Sequence, residues 1–262
     1  MRPKNLPNKP LIEAILELKW KPSFSASSFP AIDGDLRLFL GRFHEAVREQ
    51  YPMFEILPAA AAPEQAAPNF PQYRFRQADG GWPLVQLGSG LLALNDTNAY
   101  TWESFRARSR SIAALIFETY PTKIEPISLE LRYINAVYVN FEELDALGHI
   151  ADKFRISLSM PTSLFDGTGV DAHASLFGLQ AAFPTKSPVG SLRFTISRGK
   201  ANDKDAILWE TIVHSADKEL PSLPKGFLTW LDAAHTTAEE WFFRLVEGEL
   251  LGQFSGDLKT TK

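Results

Sequence analysis

His235 and Glu239 stand four residues apart, so one turn of a helix would bring an imidazole beside a carboxylate. Two ligands are too few for a closed metal site. No two of the five histidines, His44, His149, His173, His214 and His235, have the four-residue spacing of a helical zinc motif. The chain has no cysteine, which excludes disulfides, thiolate catalysis and Cys-ligated zinc or iron–sulfur centres. Gly88-Ser89-Gly90 puts a serine between glycines, but a nucleophile elbow needs G-x-S-x-G between a strand and a helix. It reads as a hairpin turn. Neither a G-x-x-x-x-G-K-[ST] phosphate loop nor a G-x-G-x-x-G fingerprint occurs. The sequence therefore names no catalytic residue, no metal site and no cofactor.

Other polar residues sit where elements would gather them. Glu13 and Glu17 share the polar face of an alternating strand, two alternations apart. Glu130 and Arg132 share the polar face of a second such strand. If these two strands are neighbours about a local twofold, Glu13, Glu17, Glu130 and Arg132 converge. If its face lines the groove under the helices, the Glu13–Glu17 pair would suit a cation or a basic ligand. Tyr133 and Asn135 fall on the apolar face of the second strand, where a buried Asn needs hydrogen-bond partners. Tyr100 and Trp102 follow Asn95 and Asp96 at a strand-to-helix junction. Aromatic walls with a few polar groups suit a small-molecule or peptide pocket, and they suit core packing equally. The ligand-binding candidates are thus Glu13, Glu17, Trp102, Glu130, Arg132, Tyr133, Asn135 and His235.

The elements that must position them follow from periodicity. Leu11–Trp20 alternates, with Ile12, Ala14, Leu16, Leu18 and Trp20 on one face. From Asp33 to Tyr51 the spacing becomes helical, through Ile32, Leu36, Phe39, Leu40, Phe43 and Val47, with Asp33 or Asp35 as cap. Pro58–Pro71 reads as a loop. Gln72–Gln77, Leu84–Leu87 and Leu91–Leu94 read as a three-stranded meander. Thr101–Tyr120 is helical, with Thr101 as N-cap. The pattern then repeats. A strand Ile127–Val139 leads into a weak helix, Phe141–Phe154. After an insertion near Arg155–Ala172 come strands Ser175–Phe183, Leu192–Ser197 and Ile207–His214. A polar hairpin tip spans Gly199–Asp205, and a closing helix runs from Lys225 to Phe254. The expected fold is α+β. Two similar strand–helix–three strands–helix halves, 1–122 and 123–262, share a mainly antiparallel sheet with helices on one face. The halves repeat a pattern, not residue identities.

Composition fits one compact unit: 262 residues, 45% apolar and 22% charged. A net charge of −4 disfavours nucleic acid as a partner. Arg106, Arg108 and Arg110 lie on a helix, where their spacing spreads them around the axis. No apolar run is long enough to span a bilayer, and Met1–Pro10 lacks the apolar core of a secretory signal. The expectation is a soluble, cytoplasmic protein with no membrane partner. An oligomer stays open.

Several short motifs resemble a sporadically distributed, uncharacterised bacterial protein family of about this length. They are the opening Leu6-Pro7-Asn8-Lys9-Pro10-Leu11-Ile12-Glu13-Ala14, the Gln86-Leu87 to Asn95 strand pair, and Tyr100-Thr101-Trp102-Glu103-Ser104-Phe105. Leu131-Arg132-Tyr133-Ile134-Asn135 and the closing His235 with Trp241-Phe242 complete the set. The resemblance implies no catalytic residues and favours an accessory role in a bacterium over a housekeeping enzyme. The layout also resembles tandem TATA-binding-protein-like folds, including bacterial effector-binding domains; that is a likeness of fold. With a pI near 5.8, DNA binding is not carried over.

The leading expectation is a non-enzymatic protein that holds a protein, peptide or small ligand in a saddle or groove. The alternative is a hydrolase or peptide-modifying accessory subunit with a site formed only in three dimensions, which a convergence of Glu13, Glu17, Arg132 and His235 in one pocket would favour. A third reading, a defence-associated nucleic-acid component, requires a basic stripe of Arg74, Arg76, Arg106 and Arg110.

Overall fold

The computed structural model describes residues 6–24, 33–63, 68–97, 99–142, 145–157 and 160–257. The first half holds β1 (Leu11–Trp20), α1 (Gly34–Val47), β2 (Met53–Ile56), β3 (Tyr73–Arg76), β4 (Leu84–Gly88), β5 (Leu91–Asp96) and α2 (Trp102–Thr119). The second holds β6 (Pro126–Tyr138), α3 (Ala146–Lys153), β7 (Gly178–Lys186), β8 (Val189–Ala201), β9 (Lys204–Ala216), α4 (Phe227–Leu245) and α5 (Glu249–Phe254). All nine strands form one antiparallel sheet in the order β2-β3-β4-β5-β1-β6-β9-β8-β7. The two leading strands, β1 and β6, pair at its centre. Each is flanked by the last strand of its own half, so the layout is a strand–helix–three strands–helix unit used twice. β2 is an added edge strand in the first half, and α5 is an added helix in the second.

One face of the sheet carries the helices. Alternation on β1 sends Ala14, Leu16, Leu18 and Trp20 to that side, and Leu129 and Leu131 of β6 join them. Phe39 and Phe43 of α1, Phe105 and Ile116 of α2, and Trp230 and Leu231 of α4 close over this layer in a single core. Each fully buried side chain of this size contributes roughly 1.5–3 kcal/mol.

Local chemistry fixes the first half. Asp33 caps α1, accepting from the Leu36 amide at 3.1 Å and from Ser89 Oγ at 2.8 Å. Ser89 is therefore a buried structural hydroxyl in the β4–β5 turn, as the hairpin reading requires. Gly90 in that turn has φ of +73°, and a Cβ there would lie 2.4 Å from the Trp20 carbonyl. Thr101 caps α2 by accepting from the Ser104 amide.

The structure corrects several local expectations. The β1–β6 register shifts between Leu11 and Glu13, a bulge that sends Ile12 to the helix-free face, beside Ala136, Ala206 and Leu208. The hairpin tip shrinks to Asn202-Asp203, both with positive φ, because β8 runs to Ala201 and β9 starts at Lys204. Met53–Ile56, given no element by the sequence pattern, is a strand because it pairs with β3. The closing helix breaks at Gly248, with φ of +117°. Ile32 lies outside the described residues.

Candidate functional site

A cavity of about 730 Å³ opens where the halves meet, between the start of α2, the middle of α4 and the strands β6 and β9. Its floor is a break in the apolar helix-side face of the sheet. Tyr133 on β6 pairs with Thr211 on β9, and Asn135 lies two residues along β6, opposite Leu11 of β1. Asn135 is 4% exposed and Thr211 3%. Both line the cavity, and neither side chain has a hydrogen-bond partner among the described residues.

The walls are aromatic. Trp102, the first residue of α2, stacks on His235 of α4 with ring centroids 3.7 Å apart and planes inclined by 12°. Tyr100 Oη lies 2.9 Å from Tyr133 Oη, which lies 2.9 Å from His235 Nδ1. His235 Nε2 faces Glu239 Oε1 at 3.9 Å. Burial lowers the imidazole pKa from 6.5 to about 4, with Asp232 and Glu103 opposing the shift, so the ring is neutral at pH 7. In the tautomer that carries its proton on Nε2, toward the Glu239 carboxylate, Nδ1 accepts from Tyr133 and Tyr133 accepts from Tyr100. Burial also pushes both phenols above their ordinary value, which keeps them as hydrogen-bond donors.

Two further contacts hold the frame. Lys9 Nζ donates to the Tyr100 carbonyl at 2.7 Å. Arg106 of α2 forks onto Asp232 of α4 at 2.5 and 2.7 Å, tying the halves together one turn below His235. Asp96, at the end of β5, accepts from Arg108 and from the Thr97 amide. Burial raises its carboxyl pKa on balance, against those two contacts.

The expected site residues divide between the two faces of the sheet. Trp102, Tyr133, Asn135 and His235 meet in the cavity. Glu13, Glu17, Glu130 and Arg132 point to the helix-free side. There the antiparallel β1–β6 pairing does set Glu17 opposite Glu130. These groups pair with neighbours: Glu17 with Lys19 at 2.7 Å, Arg132 with Glu210, and Arg193 with Glu130. Glu13 accepts from Asn95 Nδ2 at 2.9 Å. The sheet thus separates Glu13, Glu17 and Arg132 from His235, and the four do not share a pocket. The reason is parity, since Arg132 and Tyr133 are adjacent on one strand and face opposite ways. Three of the four arginines proposed for a basic stripe are ion-paired. Arg74 and Arg76 pair with Glu55, and Arg106 with Asp232.

Thr211 was missed, although its signal matched that of Asn135. It is the polar residue on the inward alternation Ile207, Trp209, Thr211, Val213. Lys9 and Glu103 join the site only through the fold. Among the described residues, no group of three or more His, Cys, Asp or Glu is placed to share a metal ion. No helix there is long and apolar enough to cross a membrane.

No protein-family model matches the chain, and no curated protein matches it. Among solved structures, Methanococcus jannaschii TBP aligns at 10% identity over 88% of this chain and 99% of that one, with a TM-score of 0.28. A score of that size adds nothing to the strand order described above.

Proposed function

We propose that this chain is a non-enzymatic binding protein that holds a small organic ligand in the cavity between its halves. The observation that carries the reading is the polar floor. Asn135 and Thr211 are buried, unpartnered by the described residues, and face open space. A sealed amide without a partner costs about 1–3 kcal/mol; cavity solvent relieves part of that cost, and a bound ligand's hydrogen bonds would offset the rest. The aromatic walls supply apolar contact, and the Tyr100–Tyr133–His235 chain supplies a fixed, neutral edge. The hydrolase alternative draws no support from a convergence of Glu13, Glu17, Arg132 and His235, which lie on opposite faces of the sheet. An accessory role in a bacterium accords with the sequence resemblance and belongs to the same proposal.

The test is direct. The protein is purified from its own host, denatured, and its small molecules are identified by mass spectrometry. The expected result is one molecule near stoichiometric amounts, lost from Asn135→Leu. Equal content in both proteins, or a stoichiometric protein partner with an empty cavity, would sink the proposal. Turnover of the retained molecule would refute its non-enzymatic part.

A further inference from the structure

We infer that the cavity selects an uncharged planar group with an amide-type donor–acceptor edge: a carboxamide, a lactam or a nucleobase. This rests on the reading of the cavity as a ligand site and names the ligand's chemistry. A carboxamide side chain carries an acceptor oxygen and a donor NH₂ in one plane. A ligand with the complementary edge satisfies both in one approach. A lone hydroxyl satisfies one at a time. A carboxylate offers no donor to the Asn135 oxygen. The Thr211 hydroxyl, diagonal to Asn135 across the β6–β9 pair, can turn to give or accept a third bond.

The surroundings select in the same direction. Trp102, His235 and Phe242 make the walls largely aromatic, which favours a flat ligand. The Lys9 ammonium in the lining is already directed at the Tyr100 carbonyl, so an anionic head group keeps its unmet acceptor surplus there.

The experiment titrates the full chain with matched probes, read by calorimetry and ligand-observed NMR. Benzamide, 2-pyridone and adenine carry the edge. Benzoate is the anionic match of benzamide, and benzyl alcohol is the neutral match without the edge. At least one edge-bearing probe should bind roughly tenfold or more tightly than benzoate and benzyl alcohol. Asn135→Leu should erase that preference, and Thr211→Val should reduce it. Should Asn135→Leu fail to fold, the Thr211→Val comparison carries the test. Benzoate or benzyl alcohol binding as tightly as benzamide would overturn the inference. So would a preference that survives both substitutions. If no probe binds, the molecule extracted from the host-purified protein decides. One that bears the edge supports the inference; one that lacks it overturns the inference and leaves the binding role standing. An empty cavity together with silent probes removes both.

Discussion

Replacing Asn135 with leucine separates a structural amide from one held for a ligand. If the side chain had a protein partner, its loss would strand that partner and cost about 1–3 kcal/mol. Here it has none among the described residues, and it is 4% exposed. Leucine has the same branched heavy-atom skeleton, has the open cavity beside it for its extra bulk, removes the unpartnered amide and adds apolar contact with Leu11 opposite it on β1. The cavity admits water, which solvates the amide in part, so the gain falls toward the lower end of the range, roughly 1–2 kcal/mol. For a chain of this size, each kcal/mol moves Tm by roughly 2–4 °C, so the variant should melt roughly 2–8 °C higher. The assay is urea unfolding and calorimetry of ligand-free protein, with ligand retention measured in parallel. Higher stability with lost retention is the expected pair. A loss of more than about 1 kcal/mol would refute the reasoning, because it would reveal a structural bond to Asn135.

Further outcomes follow from the same geometry. His235 is held neutral in the fold, so its stability contribution is complete above its unfolded pKa of 6.5. It is lost as pH falls to about 4. That gap corresponds to roughly 3 kcal/mol, most of it spent by pH 5, and His235→Asn should flatten the pH–stability curve across this window. Tyr133→Phe removes the donor to His235 Nδ1. It should cost about 1–2 kcal/mol and raise the imidazole midpoint, seen by NMR titration of the ring proton. The Arg106–Asp232 fork should show a positive coupling in a double-mutant cycle that shrinks as salt is added. A coupling unaffected by salt would contradict an ion pair between partly exposed groups.

Periodicity made the sheet legible because each strand's alternation is a local property. The repeated order was readable for the same reason, since β1 and β6 each open a half with a long alternating run. β2 was not readable, because Met53–Ile56 is four residues whose strand character comes from pairing with β3. The bulge at Ile12 was equally hidden, as it follows from how β1 meets β6. For the site, Asn135 stood out by breaking an apolar face, and Thr211 carried the same mark one strand away. Glu13 and Arg132 lie across the sheet from His235 because the alternation of β1 and β6 turns their polar faces away from the helices, and only the fold sets which face the helices cover.

The other buried polar residues provide the control for the cavity argument. Ser109 bonds the Phe105 carbonyl, Ser215 bonds the Val189 carbonyl and accepts from Trp230 Nε1, and Asp33 is taken by Leu36 and Ser89. These groups serve the fold. Gln72 differs: it is 1% exposed, neither side-chain polar atom has a partner, and it does not line the cavity. Its amide is sealed from solvent, whereas that of Asn135 opens on the cavity, and no ligand accounts for it. Gln72→Leu should therefore stabilise the protein by about 1 kcal/mol or more, as Asn135→Leu does, while leaving the retained ligand unchanged. If Gln72→Leu also emptied the cavity, ligand loss would reflect a general change in the fold, and Asn135 would lose its special role. If it instead destabilised the protein by more than about 1 kcal/mol, absence of a partner in the structure would not mark a removable amide, and the case for Asn135 would fail with it.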